Sequence, residues 1–215
     1  MLGGSRIGPV LMIFVAAASC RSVAGGSSPP IVRPGAPGEP SRVVAPSVAA
    51  DLSRVRFTNA DVKFMQGMIA HHAQAVEMTG LLKTRTSSED MKKLALRIEL
   101  SQSDEIRMME RWLRDRRQEV PDPHASHMHG EMPMPGLLTD AQMRQLGAAS
   151  GADFDRLFLE DMIRHHDGAL VMVKDLLATP GAAQDSDIFT FISDVDADQR
   201  MEMERMGAML RERVK

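Results

Sequence analysis

The segment FMQGMIAHHAQAVEMTGLL, residues 64–82, decides the fold because its apolar and histidine side chains recur at helical spacing. Six of them follow one another at steps of three or four residues: Phe64, Met68, His71, Ala75, Met78 and Leu82. Such steps place all six on one face of an α-helix. The segment therefore predicts a long amphipathic helix that turns a histidine toward the core.

The same pattern returns 94 residues later as FLEDMIRHHDGALVMVKDL, residues 158–176. The offset also holds downstream, where Ile98 matches Ile192 and Met109 matches Met203. A constant offset across two elements indicates a helical hairpin used twice. Two amphipathic hairpins pack most simply as a four-helix bundle, so the sequence predicts an all-α fold with a short extra helix in the central connection.

Capping residues and prolines predict where the helices begin and end. Thr58 with Asp61 forms a capping pair before the first helix, and the second should run over residues 88–118, ahead of Pro121. A capping box of Thr139 and Gln142 predicts the short helix. The third should start after residue 150 or 151 and end before residue 180, and the fourth should start near residue 186. Two inward stripes are expected, Ile98, Gln102, Glu105, Met109 and Trp112 on the second helix, and Ile192, Val195, Gln199, Met203, Met206 and Leu210 on the fourth.

The N-terminal 50 residues differ from the bundle in composition. Residues 1–20 combine Arg6, an apolar run over residues 10–18 and the lipobox-like end Ala-Ala-Ser-Cys20, which predict a signal peptide and lipid attachment at Cys20. Ordinary signal cleavage is the alternative. Pro, Gly and Ser make up half of residues 21–50, which predicts a disordered tether. Residues 51–215 would form the bundle domain of an exported protein of the cell envelope, at its periplasmic or extracellular face.

Overall composition excludes several classes of protein. The net charge of -3 argues against a nucleic-acid binder, which needs a concentrated basic surface. A single Cys among 215 residues excludes a disulfide framework and a cysteine-based zinc cluster. No glycine-rich phosphate loop, nucleophile elbow or cysteine nucleophile is present, so no catalytic residue is assigned.

The repeated helix motif carries a candidate metal site. Met68 and His71, like Met162 and His165, lie one turn apart on the inward face of each helix. Thioether and imidazole ligands suit Cu(I), or Ag(I) by the same softness, better than iron, magnesium or calcium. Further candidate ligands are the adjacent histidines and the methionines farther along each stripe: His72, His166, Met78 and Met172. Core packing is the alternative for these methionines, and hydrogen-bonded burial for the histidines.

The central connection, residues 121–138, has a His/Met-rich stretch without hydrophobic periodicity. Its candidate ligands are His124, His127, Met128, His129, Met132 and Met134. Such tracts are typical of metal-binding segments, although a solvated connector is the alternative. In an up-down bundle the loop would lie where the third helix starts, about 20 Å from His165, so the loop and bundle sites should be separate.

The paired M-I-x-H-H-x-x-A-x-x-M signatures, with the run PGLLTDAQMRQLGAASGADFDRLFLEDMIRHH, resemble the domain-of-unknown-function 305 family over residues 53–215. The resemblance implies a ferritin-like bundle and an extracytoplasmic setting. It also implies copper binding, which some secreted members show.

The working hypothesis is a lipid-anchored protein that binds copper, preferably Cu(I), for buffering, tolerance or delivery. One alternative is a metal-free helical module that docks an envelope protein or a second copy of itself. A third is a metal-dependent oxidoreductase using an inward Glu105, although the repeated Glu-x-x-His pattern of di-iron bundles is missing.

Overall fold

The computed structural model of the chain describes residues 30–33, 40–49, 57–122 and 134–213. The chain divides into two units, Met1–Leu52 and Ser53–Lys215. Cys20 and the predicted signal peptide lie outside the described residues, as do five of the six loop ligands, His124, His127, Met128, His129 and Met132.

The first unit contains two short antiparallel strands and one helical turn. Strand β1, Ile31–Arg33, pairs with β2, Arg42–Val44, and helix α1 covers Pro46–Ala49. The β-branched residues in both strands favour this pairing, which the expectation of a disordered tether over residues 21–50 did not include. Val44 is half-buried, whereas the other strand side chains with assigned exposure, such as Val32 and Val43, are exposed.

The described residues of the second unit, 57–122 and 134–213, form four long helices and one short one. They are α2, Asn59–Arg85; α3, Glu89–Asp115; α4, Asp140–Ala148; α5, Gly151–Ala178; and α6, Ser186–Arg213. These bounds confirm the all-α prediction, and the two hairpins α2–α3 and α5–α6 match the repeat. Within the described residues, no helix combines the length and the apolar character needed to cross a membrane.

Helix starts follow the predicted caps. The Thr58 side chain accepts a hydrogen bond from the Asp61 amide, and the Asp61 carboxylate accepts one from the Thr58 amide at 2.6 Å. Thr139 and Gln142 form the second predicted box at the start of α4. The other oxygen of the buried Asp61 accepts from the Ala183 amide at 2.8 Å, so this residue also joins the start of α2 to the turn before α6.

Two apolar clusters divide the core along the bundle axis. The first joins the N-terminal half of α2 to the C-terminal halves of α3 and α5 and the start of α6, around Met68, Trp112 and Phe191. The second joins the opposite halves, around Leu82, Phe158 and Met206. Helices α2 and α6 therefore run one way and α3 and α5 the other.

This arrangement corrects the up-down topology expected from the sequence. Helix α3 ends beside the first cluster and α5 starts beside the second, so the two ends joined by the central connection lie at opposite ends of the bundle. Its last residues reach the second cluster, where Leu138 is buried with Leu146 of α4. One long crossover between two hairpins is the ferritin-like connectivity.

Candidate metal site

A layer of polar side chains separates the two apolar clusters at mid-length of the bundle. Helices α2 and α5 contribute two histidines each, and α3 and α6 contribute one glutamine and one glutamate each. The eight residues are His71, His72, Gln102, Glu105, His165, His166, Gln199 and Glu202. All are buried except Glu105, whose side chain is 15% exposed. We refer to these eight residues as the polar layer.

The centre of the polar layer is a pair of facing imidazoles. The ring centroids of His71 and His165 lie 3.9 Å apart with 45° between the planes. His71 Nε2 lies 2.9 Å from the carbonyl oxygen of Pro135 in the central connection. Because a carbonyl only accepts, Nε2 carries the proton and Nδ1 of His71 keeps its lone pair.

Each central histidine is followed by one that contacts the other helix of its own hairpin. His72 Nε2 lies 2.5 Å from Glu105 Oε2 on α3, and His166 Nε2 lies 2.8 Å from Glu202 Oε2 on α6. A carboxylate acceptor again places the imidazole proton on Nε2. Both Nδ1 atoms are left with lone pairs, in the carboxylate–histidine arrangement that commonly supports metal ligands.

Unsatisfied hydrogen-bonding groups are concentrated in this layer. Of the ten buried side-chain N and O atoms without a hydrogen-bond partner in the described residues, seven belong to it. They are Nδ1 of His71, His72 and His166, both ring nitrogens of His165, and Oε1 of Gln102 and Gln199. A neutral imidazole carries one N–H, so His165 supplies at most one donor. With the tautomers assigned above, the unpartnered atoms of the other residues are all acceptors, so acceptors outnumber donors in this layer. A buried excess of acceptors is costly unless a cation or water supplies what is missing.

Burial keeps the central histidines neutral. Desolvation lowers the pKa of His71 from 6.5 to about 3, and the nearby imidazole of His72 lowers it further. Desolvation also lowers the pKa of His165 well below its ordinary value, with His71 as the next cause. At neutral pH neither ring carries a second proton, so a metal ion that binds a free ring nitrogen need not displace one.

The candidate methionines flank the histidine pair. Met68 lies in the first apolar cluster and Met162 in the second, each one turn before the histidine of its own helix. Since α2 and α5 are antiparallel, the two approach the pair from opposite sides. Met78 is fully buried in the second cluster, whereas Met172 is half-buried. Among the described residues, no three His, Cys, Asp or Glu side chains form a group able to hold a metal.

The end of the central connection lies directly on the histidine pair. The Gln74 side chain donates to the Leu138 carbonyl at 2.9 Å and accepts from the Leu138 amide at 2.7 Å. A Cβ on Gly168 would lie 2.1 Å from the Pro135 oxygen, so the close crossing over α5 requires glycine there. The last residues of the connection, Met134 and Pro135, therefore lie beside α2 and α5 at the bundle site rather than apart from it.

The inward position of Glu202 did not follow from the stripe expected on the fourth helix, although Glu202 was one of the carboxylates considered for a harder metal. The α6 stripe was expected to turn Met203 and Leu210 inward, but both are half-buried, and Glu202 and Met209 are buried instead. The repeat aligns Glu202 with Met108 rather than with Glu105, so it gave no sign of a second histidine–glutamate pair. Glu202 lies two i+4 steps before Leu210, which was expected to face inward, and this helical spacing would have suggested that Glu202 faces inward as well.

Solvent approaches the polar layer between α3 and α6. A groove of about 710 Å³ lies between these helices, and Glu105 lines it. Most of its charged side chains are acidic, including Asp194 and Asp198. Burial, and then the charges of Glu105 and Glu202, raise the pKa of Asp198. The groove thus has a negative electrostatic potential beside Glu105, the carboxylate that accepts a hydrogen bond from His72.

The fold and this layer define a ferritin-like four-helix bundle with a buried histidine centre. The chain belongs to the family described as Domain of unknown function (DUF305), which matches residues 61–210. No curated protein matches the sequence.

Solved structures of the same fold include bacterial members of this family and a copper-binding protein. A Streptomyces coelicolor DUF305 protein, thought to be secreted, is 30% identical with a TM-score of 0.63, covering 72% of this chain and 93% of that one. A DUF305 fragment from Deinococcus radiodurans is 29% identical with a TM-score of 0.63, covering 73% and 98%. CopM in its Cu(I)-bound form is 25% identical with a TM-score of 0.56, covering 73% and 98%. CopM has also been solved with Cu(II) and with Ag bound.

Proposed function

We propose that the polar layer binds copper as Cu(I), with His71 and His165 as the central ligands. The observation that carries this proposal is the set of unpartnered nitrogen atoms on facing, neutral, buried imidazoles. A bound cation would supply the partner that these lone pairs lack. Without one, each unpaired buried group costs about 1–3 kcal/mol.

The kind of ligand favours a soft ion. Ferritin-like di-iron sites use Glu-x-x-His, and here Met68 and Met162 stand in place of the glutamates. Both carboxylates of the polar layer already accept hydrogen bonds from histidines, which leaves them as supports for His72 and His166. Imidazole and thioether together suit Cu(I) and Ag(I), whereas an oxidoreductase built on a harder metal would need free carboxylates.

The structural relatives support the same ions. CopM, which has the same fold and 25–26% identity to this chain, has been solved in Cu(I)-bound, Cu(II)-bound and Ag-bound forms. We therefore propose copper as the cargo, held for buffering, tolerance or delivery. The loop residues His124, His127, Met128, His129 and Met132 would capture the ion from solution, and Met78 would extend the bundle site.

We also propose that the protein is exported. The N-terminal sequence and the Streptomyces coelicolor relative, thought to be secreted, support export. Lipid attachment at Cys20 rests on the lipobox-like sequence alone. Mass spectrometry of Cys20 in membrane fractions tests it, and a free thiol or cleavage at another residue would contradict it.

The test is an anaerobic Cu(I) titration of the full chain against a coloured chelator. We expect His71→Ala/His165→Ala to lose at least one tight equivalent. The matched control, His124→Ala/His129→Ala, removes two loop histidines and should keep that equivalent. Unchanged binding after loss of both central histidines would refute the bundle site. No binding by the wild-type chain would make docking of an envelope partner the leading function.

A further inference from the structure

The central connection is fixed where it crosses α2 and α5. Gln74 holds the Leu138 backbone with two hydrogen bonds, and His71 donates to the Pro135 carbonyl. Gly136 has a left-handed φ of +78°, and a Cβ there would lie 2.7 Å from the Arg164 carbonyl oxygen. The backbone just after Met134 is thus held by contacts on both helices, and this fixes where the Met134 side chain begins.

Two methionines from different elements meet above Gly67 on α2. A Cβ on Gly67 would lie 3.4 Å from the sulfur of Met134 and 3.5 Å from the terminal methyl of Met172. Met134 comes from the connection and Met172 from α5, 38 residues apart in sequence. Both side chains therefore approach the same point above Gly67, which has no side chain of its own there. Helical periodicity puts Gly67 one turn before His71 on α2.

Both methionines are half-buried, unlike the fully buried Met68 and Met162. Met172 packs against the first apolar cluster, and because both side chains are partly exposed, the pair lies at the edge of that cluster within reach of solvent. Methionine side chains are flexible, and their sulfur is polarizable, so a pair of them can close around a soft ion without moving the backbone.

We propose that Met134 and Met172 form a second soft-metal position, a thioether pair above Gly67 through which Cu(I) or Ag(I) exchanges with the His71–His165 centre. This inference rests on the proposed function, because an exchange position needs a metal-binding centre behind it. The ion binds weakly here and leaves quickly, since two thioethers offer fewer ligands than the polar layer.

The experiment follows Ag(I), which does not change oxidation state, in the full chain labelled with ¹³C at the methionine methyl groups. Met→Leu variants assign the methyl signals. We expect the Met134 and Met172 signals to move together when Ag(I) is added. Met134→Leu/Met172→Leu should exchange Ag(I) with a chelator at least about tenfold more slowly, while the equilibrium occupancy of the His71–His165 centre stays the same.

Two further variants make the result specific. Met143→Leu/Met203→Leu removes two other half-buried methionines and should leave the exchange rate unchanged. Gly67→Ala keeps both sulfur atoms but adds a methyl group in contact with the Met134 sulfur and the Met172 methyl, and should slow exchange in a helix that remains intact. With the histidine rings also labelled with ¹⁵N, Ag(I) that shifts the histidine signals but exchanges at a rate unaffected by the Met134→Leu/Met172→Leu change contradicts the inference and leaves the proposed function standing. If no signal in the bundle moves, both fail.

Discussion

His71 and His165 occupy the same position in the two halves of the internal repeat, and their rings face each other with centroids 3.9 Å apart. Counterpart residues of the two repeats lie in different apolar clusters: Phe64 lies in the first cluster and its counterpart, Phe158, lies in the second. The hairpins are therefore related by an approximate twofold axis that passes by the histidine pair. Such a site draws equivalent ligands from both halves, which is how a single motif can supply both sides of a metal centre.

Replacing His165 with Leu should stabilise the metal-free protein. Both ring nitrogens of His165 are buried without a partner, and its side chain is almost fully enclosed. A leucine of similar size removes these polar atoms, so we expect the free energy of unfolding to rise by about 1–3 kcal/mol. Urea denaturation of the apo proteins measures the change. A loss of stability would show that His165 is satisfied within the fold.

The matched control is His72→Leu, which should act in the opposite direction. His72 donates to Oε2 of Glu105, so its removal leaves that oxygen of a partly buried carboxylate without its donor, while Ser101 still donates to Oε1. We expect a loss of about 1–3 kcal/mol in the same denaturation experiment. Opposite effects of the two changes would separate a histidine without a hydrogen-bond partner from one that the fold satisfies.

Much of the fold could be predicted because its determinants are local or periodic. The α2 face that carries Phe64, His71 and Met78 is buried as its spacing indicates, and the capping residues mark the start of helices correctly. The repeat was sufficient to predict two hairpins. It left open which way the second hairpin points relative to the first.

The course of the central connection could not be predicted, since it depends on the places where the two halves of the repeat differ. Gln74 and Gly168 are counterparts at the offset of 94 residues. The amide side chain of Gln74 binds the connection, whereas Gly168 has no side chain and so leaves room for the connection. Aligning the two repeats shows that Gln74 and Gly168 differ. The alignment does not show that both residues contact the connection, because the connection is far from them in sequence.

The stability of the metal-free protein should fall as the pH drops below 6.5. Burial lowers the pKa of His71 to about 3 and that of His165 well below its ordinary value, whereas both titrate near 6.5 when unfolded. Below 6.5 the unfolded chain takes up protons that the folded chain does not. Each histidine then removes at most about 1.4 kcal/mol per pH unit until its folded pKa is reached.

Urea denaturation between about pH 7 and about pH 5 measures this loss. The variant His71→Leu/His165→Leu should show a shallower dependence over the same range, because the acidic groups that also titrate are common to both proteins. Equal slopes would mean that the two rings are protonated within the fold.

A single methyl group on Gly168 should displace the connection. The Cβ of alanine would lie 2.1 Å from the Pro135 oxygen and 2.4 Å from its carbonyl carbon, both backbone atoms that cannot rotate away. We expect Gly168→Ala to cost about 1–3 kcal/mol or more. Gly80→Ala is the control, because nothing lies within 4 Å of its Cβ and alanine favours the helix by up to about 1 kcal/mol. Thermal denaturation should move in opposite directions, and a stabilised Gly168→Ala protein would contradict the crossing.

Gln74→Leu should loosen the connection while leaving α2 intact. The change removes both hydrogen bonds to the buried Leu138 backbone, at a cost of about 1–3 kcal/mol for each group left unpaired. Pro135 lies three residues before Leu138, so its hydrogen bond to His71 should weaken as well. The His71 proton would then no longer be held on Nε2. Nitrogen NMR of the imidazole measures this as a mixture of tautomers in place of one. Thr84→Val is the control, because Thr84 lies on the same helix but away from the connection, and a Gln74→Leu protein with a single His71 tautomer would show that Gln74 does not position the ring.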